Sequence, residues 1–110
     1  MWYKNKVELP EEVIYEIVTK EDDQGFGLAV ADVIRSKPHR HLITAESYVL
    51  LSGRLLVYIG NCPFSLERPG ALIKIPLGAT HWAETLNHGC PARISIVTIQ
   101  AWTPEDHILA

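Results

Sequence analysis

Cysteine is scarce in this sequence, with only Cys62 and Cys90 among 110 residues. The two form no Cys-x-x-Cys motif, so neither a zinc ribbon nor a thioredoxin-like redox site is expected. A single disulfide between them stays open as an alternative, but packed thiols are the preferred expectation.

Long apolar runs and a surplus of positive charge are also missing. No apolar run approaches the roughly 20 residues needed to span a bilayer. The start of the chain leads into acidic Glu11 and Glu12 and not into the apolar core of a signal peptide, so we expect a cytoplasmic protein. With a net charge of −3, the chain has no cationic excess to neutralise phosphates. We therefore expect a small-molecule ligand, and neither nucleic acid nor a membrane as partner.

The overall composition is that of a folded domain. The hydrophobic fraction is 47% and the charged fraction 21%, and low-complexity segments are absent. Two independent cores in 110 residues would each be near the size at which folding becomes marginal. We therefore predict a single domain over residues 1–110.

Short apolar runs alternate with turn residues along most of the chain, and almost no helical period is sustained. Ser52-Gly53, Gly60-Asn61 and Arg68-Pro69-Gly70 separate successive runs, and Gly60-Asn61 predicts a hairpin. The predicted strands are 27–34, 46–51, 55–59, 62–67, 71–75, 80–86 and 92–102. This pattern predicts an all-β fold, as a sandwich or a closed barrel.

One segment, Pro10 to Lys20, fits two structures. Its proline, two glutamates and spaced apolar residues are compatible with a short amphipathic helix. Its β-branched residues favour a strand instead, and the strand is the preferred prediction.

Four residues of the types that bind transition metals are spaced as in a metal site. In His39-x-His41 the two imidazoles are two residues apart and share one face of a strand. The chain can turn after His41 and return the carboxylate of Glu46 to the same side, and His81 adds an imidazole from another strand. Three imidazoles and a carboxylate suit iron, manganese, nickel, cobalt or zinc, and affinity alone does not choose among these ions.

These residues also carry a resemblance to the cupin superfamily. Residues 39–53 resemble its first motif, H-x-H-x4-E-x6-G, and residues 70–81 resemble its second, G-x5-P-x-G-x2-H. Val33 and Thr85 depart from a glycine and an asparagine that are frequent in the family. Residues 102–106 resemble the closing segment of small single-domain cupins.

The resemblance has consequences for fold, metal and assembly. It implies a double-stranded β-helix, or jelly-roll barrel, with His39, His41, Glu46 and His81 as metal ligands. Together with the apolar strands it also indicates a homodimer.

Strand alternation predicts which side chains share the cavity with the metal. Tyr48 and Leu50 are expected on the face of Glu46, and Ala83 and Thr85 on the face of His81. Tyr48 is a candidate proton donor to substrate, and a plain core aromatic is the alternative.

Other residues near the motifs are predicted with less specific roles. Arg35, four residues before His39, is a candidate clamp for a substrate carboxylate or phosphate, or else a solvated residue at the mouth. Trp82 is expected to face outward, where it can join a subunit interface. His88 and His107 are expected at the surface or in loops, without a special role.

Two functions are compatible with these features. The preferred one is a metal-dependent enzyme, an oxygenase (such as a dioxygenase) or a sugar-phosphate-isomerase-like protein, acting on a small oxygenated substrate. The alternative is a non-enzymatic ligand-binding or sensor protein in which the metal is structural or holds an effector. One fold hosts several chemistries, so the resemblance does not choose between them.

Overall fold

The computed structural model describes residues 1–109, which form strands joined by short turns and two single-turn 3-10 helices. The 3-10 helices are Lys20–Asp22 and Pro104–Asp106. The strands are β1 Asn5–Leu9, β2 Glu12–Val18, β3 Phe26–Val33, β4 His39–Arg40, β5 Ala45–Ser52, β6 Leu55–Ile59, β7 Cys62–Leu66, β8 Leu72–Ile75, β9 His81–Thr85, β10 Ala92–Ile99 and β11 Ile108–Leu109. Within residues 1–109, no helix has the length and apolar character that crossing a membrane requires.

The strands form two antiparallel sheets that face each other. One sheet has the order β1-β2-β3-β10-β5-β8, and the other has the order β11-β4-β9-β6-β7. Strands that are distant in sequence, such as β3 and β10, are neighbours in the first sheet. The predicted all-β class is confirmed, and the two sheets form a β-barrel.

The core lies between the two inner faces, as strand alternation requires. In β5 the buried residues are Glu46, Tyr48 and Leu50, and in β9 they are His81, Ala83 and Thr85. The predicted inward faces of β5 and β9 are therefore confirmed. The apolar core consists of Ala31, Val33, Tyr48, Leu50, Leu55, Val57, Leu66, Ile75, Ala83, Ala92 and Ile94.

Most predicted strands agree with the structure to within a few residues. Residues 55–59 match β6, and Gly60 turns the β6–β7 hairpin with a φ of 59°. Residues 10–20 contain strand β2, as preferred over a helix. The strand predicted over 92–102 is shorter in the structure, where β10 ends at Ile99.

Two strands and the state of the cysteines were not anticipated. β1 is an edge strand whose five residues are all exposed, and the alternation of polar and apolar residues from Lys6 to Leu9 is short. β11 has two residues and pairs with β4. Cys62 and Cys90 are both free and exposed, so the expectation of packed thiols is wrong.

Candidate metal centre

The four predicted ligands meet between the two sheets. His39 opens β4 and is paired directly with His81, which opens β9. His41 follows β4, and Glu46 lies on β5 of the opposite sheet. All four side chains are buried, and one ligand atom from each lies within 4.8 Å of the others. The pairing of β4 with β9 thus brings together His39 and His81, which are 42 positions apart in the sequence.

All three imidazoles are oriented in the same way, by backbone carbonyl groups. The Nδ1 atom of His39 is 2.8 Å from the oxygen of Lys37, and that of His81 is 2.9 Å from the oxygen of Ala79. The Nδ1 atom of His41 is 3.1 Å from the oxygen of Asp106. A carbonyl only accepts hydrogen bonds, so Nδ1 carries a proton in each ring and Nε2 is the nitrogen that is left to face a ligand. Metal-binding histidines are commonly fixed in this way.

The Nε2 atoms of two of these rings point at the Glu46 carboxylate. His81 Nε2 is 3.0 Å from Oε1, and His41 Nε2 is 3.5 Å from Oε2. Within residues 1–109, His41 Nε2 is a buried nitrogen with no hydrogen-bond partner. Two ligand atoms that each lie about 2.1 Å from one ion, with a right angle between the two bonds, are about 3 Å from each other. The group therefore fits a cation, because a cation satisfies both the unpartnered nitrogen and the carboxylate.

The charge states of His39 and Glu46 suit metal binding. Burial lowers the pKa of His39 to about 4, with repulsion from His81 acting in the same direction, so the ring is neutral at pH 7. For Glu46, burial alone would raise the pKa, but the hydrogen bond and the charge interaction with His81 outweigh it, and the pKa is lowered. A neutral imidazole and an ionised carboxylate are the forms that bind a cation.

Asp106 holds the segment between His41 and Glu46, a role that no pattern in the sequence predicted. Its carboxylate accepts hydrogen bonds from the backbone N–H groups of Leu42, Ile43 and Thr44, at 2.8 to 3.1 Å. Burial would raise the pKa of Asp106, but these bonds outweigh it and hold the pKa at about 2. The residue therefore fixes both the loop and, through its carbonyl, the ring of His41.

A cavity of about 410 Å³ opens beside the four-residue group. It is lined by side chains from β1, β2, β3, β5 and β10, and by the segment around Trp102 and His107. His39, His41 and Glu46 face it at one end. A ligand in the cavity can therefore reach the group.

Tyr48 lines this cavity, as predicted for a residue on the face of Glu46. Its ring centroid is 6.2 Å from that of His81. Burial and the nearby Glu46 carboxylate raise the pKa of Tyr48 well above its usual range, so it is a neutral phenol that can donate a hydrogen bond.

Arg35 does not lie at the site, contrary to the prediction that it shares the face of His39. Arg35 is exposed, and its guanidinium lies 5.2 Å from the ring centroid of Trp82. Its neighbour Ser36 is buried instead and accepts a hydrogen bond from the backbone of Ala83. The chain between Ser36 and His39 is irregular, so the simple alternation on which the prediction depended breaks there.

His107 lies at the site, contrary to the expectation of a surface or loop residue without a special role. It lines the cavity, and its ring stacks on His39 with centroids 4.6 Å apart. Burial lowers the pKa of His107, and repulsion from His41 adds to this. The pairing of β11 with β4 brings it there, and a two-residue strand has no visible sequence pattern. His88 is exposed, as expected.

Trp82 has the orientation that was predicted. It is only partly buried, between the buried residues His81 and Ala83. Its ring stacks on that of Tyr58 at 4.1 Å.

No protein-family model matches the sequence, and no curated protein matches it. The fold, in contrast, is similar to that of many solved structures. The cupin domain of Schizosaccharomyces pombe Cnp3 has a TM-score of 0.73 and 13% identity, covering 88% of this chain and 69% of that one. Pac13, described as a unique nucleoside dehydratase, has a TM-score of 0.79 and 12% identity, covering 96% and 84%.

The oxalate decarboxylase of Lactobacillus farciminis has a TM-score of 0.80 and 17% identity, covering 96% of this chain and 33% of that one. This chain thus spans a third of that enzyme. These likenesses, with the two antiparallel sheets, show that the chain has the fold of a cupin domain.

Proposed function

We propose that this protein binds one divalent transition metal through His39, His41, Glu46 and His81. The observation that supports the proposal most is the common orientation of the three imidazoles, each with Nδ1 on a carbonyl group and Nε2 left for a ligand. The unpartnered Nε2 of His41 is the second support, because a buried polar atom without a partner costs roughly 1–3 kcal/mol.

We propose further that the protein is a metal-dependent enzyme of the oxygenase or isomerase type. A bound ion of this kind supplies Lewis acidity and an acidified water. The side chains around it can do the remaining tasks: Tyr48 can donate a hydrogen bond to a substrate oxygen, and the cavity can hold the substrate away from bulk water. An open cavity that reaches the ligand residues is what a catalytic metal site needs and a closed structural site lacks.

The alternative is a ligand-binding or sensor protein in which the metal holds an effector. The partly exposed stack of Tyr58, Trp82 and Arg35 favours this alternative, because aromatic residues and arginine are enriched at protein interfaces. The structures that resemble this one include Pac13, described as a nucleoside dehydratase, and the Cnp3 cupin domain, for which no activity is named.

The first experiment is metal analysis of protein purified without chelator, followed by oxygen-uptake and isomerase screens with the metal found. About one equivalent of metal per chain together with turnover supports the enzyme. Metal and saturable ligand binding without turnover support the sensor, and protein that takes up no transition metal overturns both.

We also keep the homodimer and the cytoplasmic location as proposals. The partly exposed Trp82 and the family resemblance support the dimer. Sedimentation of the purified protein at micromolar concentration tests it, and a mass near the 12.3 kDa of a single chain would contradict it.

A further inference from the structure

The wall of the cavity is apolar away from the His39–His41–Glu46 end. Its apolar lining includes Ile14, Val18, Leu28, Ala29, Ile96 and Trp102. A volume of about 410 Å³ is within the roughly 300–1,000 Å³ of small-molecule sites, which are mostly apolar with few polar groups. The part of a ligand that touches this wall is therefore apolar.

The charges on the lining argue against an anionic ligand body. Among residues 1–109, no lysine or arginine lines the cavity, whereas the carboxylates of Glu12 and Glu16 do. A phosphate or carboxylate on the ligand body would lose its hydration and meet no cation in return. Arg35, the one cation that the sequence suggested for that task, lies on the outer face beside Trp82.

One polar group on the wall has no partner in the protein. The Thr98 hydroxyl is buried, lines the cavity, and has no hydrogen-bond partner within residues 1–109. Thr98 is the β10 residue paired with Glu46 of β5, so it lies at the same end as the four-residue group. On the other side it is paired with Gly27, where an added Cβ would be 2.4 Å from the hydroxyl oxygen. The absence of a side chain at Gly27 thus leaves room for this hydroxyl.

We propose, resting on the proposed function, that the ligand has oxygen atoms at one end and an apolar body without an anionic group, and that the Thr98 hydroxyl hydrogen-bonds the oxygen-bearing end. The apolar wall receives the body, and the four-residue group receives the oxygen atoms. Sugar phosphates and dicarboxylates lack such a body, and their negative charge would meet no lysine or arginine on the wall. Among the proposed chemistries, this ligand favours an oxygenase over a sugar-phosphate isomerase.

Three probes with the same diol end separate the contribution of the apolar wall from the effect of an anionic group on the ligand body. They are 1-phenylethane-1,2-diol, its 4-carboxyphenyl counterpart and ethane-1,2-diol, titrated by NMR into the full chain with and without zinc. We expect the phenyl diol to bind at least tenfold more tightly than either of the others. Equal or tighter binding of the carboxyphenyl diol would overturn the exclusion of an anionic group, and equal binding of ethane-1,2-diol would overturn the role of the apolar wall.

Substitutions at Thr98 test the hydroxyl. Thr98→Val should weaken phenyl-diol binding about five- to tenfold. It should also raise the melting temperature of the free protein, because a buried hydroxyl without a partner is removed. Thr98→Ser keeps the hydroxyl and should retain affinity within about twofold. Unchanged affinity in Thr98→Val would overturn the assignment of this hydroxyl to the ligand.

Val18→Lys tests the wall, and Val13→Lys is its control on the opposite face of β2. Val18 lines the cavity and Val13 does not. Val18→Lys should weaken the binding of the phenyl diol and reduce the ratio of its affinity to that of the carboxyphenyl diol. Val13→Lys should change neither quantity. Equal effects of the two variants would contradict the location of the ligand body.

Separate zinc titrations keep this inference distinct from the proposed function. If zinc does not bind but the probe preferences hold, the metal proposal fails and the cavity inference stands. If zinc binds with about one equivalent but the probes show no preference, the cavity inference fails and the metal proposal stands.

Discussion

At the residue scale, the burial of Glu12 and His39 opposes the charged form of each. Glu12 lines the cavity, and no described side chain donates a hydrogen bond to it. His39 is buried beside two other imidazoles. Burial therefore shifts the two groups in opposite directions, raising the pKa of Glu12 and lowering the pKa of His39.

A pH-dependent change in stability is expected at Glu12. Burial raises its pKa from 4.5 to about 7, and the Glu46 carboxylate adds to this. The folded protein thus holds this proton more tightly than the unfolded chain does. The stability that this proton contributes is complete below the unfolded pKa and is lost as the pH rises through about 7.

The glutamine side chain of Glu12→Gln is uncharged at every pH, so this substitution removes the contribution of residue 12 to the pH dependence of stability. In chelator-treated protein, the substitution should change the free energy of unfolding little at about pH 4.5 and raise it by roughly 2–3 kcal/mol at pH 8. Urea unfolding of both proteins at the two pH values measures the difference. The same difference at both pH values would contradict the raised pKa of Glu12.

At the element scale, the 3-10 helix Pro104–Asp106 fixes a loop that belongs to the candidate metal centre. Asp106 binds three successive backbone N–H groups of that loop, and its carbonyl accepts from the ring of His41. The C-terminal segment thus orients a ligand residue that lies 65 positions earlier in the chain.

Asp106→Asn should disturb both stability and metal binding. It replaces a charged acceptor by a neutral one, so the free energy of unfolding should fall by about 1–3 kcal/mol. Metal affinity should fall about tenfold or more, because the loop between His41 and Glu46 loses the charged acceptor that positions it. Glu105→Gln, at an exposed neighbour, is the matched control and should change neither. Wild-type metal affinity in Asp106→Asn would show that the bonds from the carboxylate to residues 42–44 do not position the ligand residues.

Much of the element pattern and the four-residue group could be predicted from the sequence. Alternation and turn residues are local signals, so β6 and the inward faces of β5 and β9 were predicted correctly. The spacing of the predicted ligand residues within each motif is also a local signal, so it can be recognised from the sequence. The positions of three other residues have no local sequence signal. The position of Arg35 depends on the irregular segment that follows it. The positions of His107 and Asp106 depend on contacts between the C-terminal residues and distant parts of the chain.

At the scale of the whole molecule, the four-residue group joins the two sheets. His39 and His81 belong to one sheet and Glu46 to the other. An ion bound to all of them would be a cross-link between the halves of the barrel. It would bind the folded state and stabilise it.

Metal should therefore raise the stability of the entire domain. At a free zinc concentration 100-fold above the dissociation constant, the free energy of unfolding should rise by about 2.7 kcal/mol. Thermal melts with and without zinc measure the rise. His81→Ala should show little of it, and a wild-type protein whose melting temperature does not respond to zinc would contradict a site that joins the sheets.

The most direct test of the metal centre is the metal content of matched variants purified in parallel without chelator. The wild type and His88→Ala, which changes an exposed histidine outside the site, should each contain about one transition-metal ion per chain. His39→Ala and His81→Ala should lose most of the metal, and Glu46→Gln should bind it more weakly while remaining folded by circular dichroism. Metal content that is the same in all five proteins would contradict the assignment of these residues as ligands.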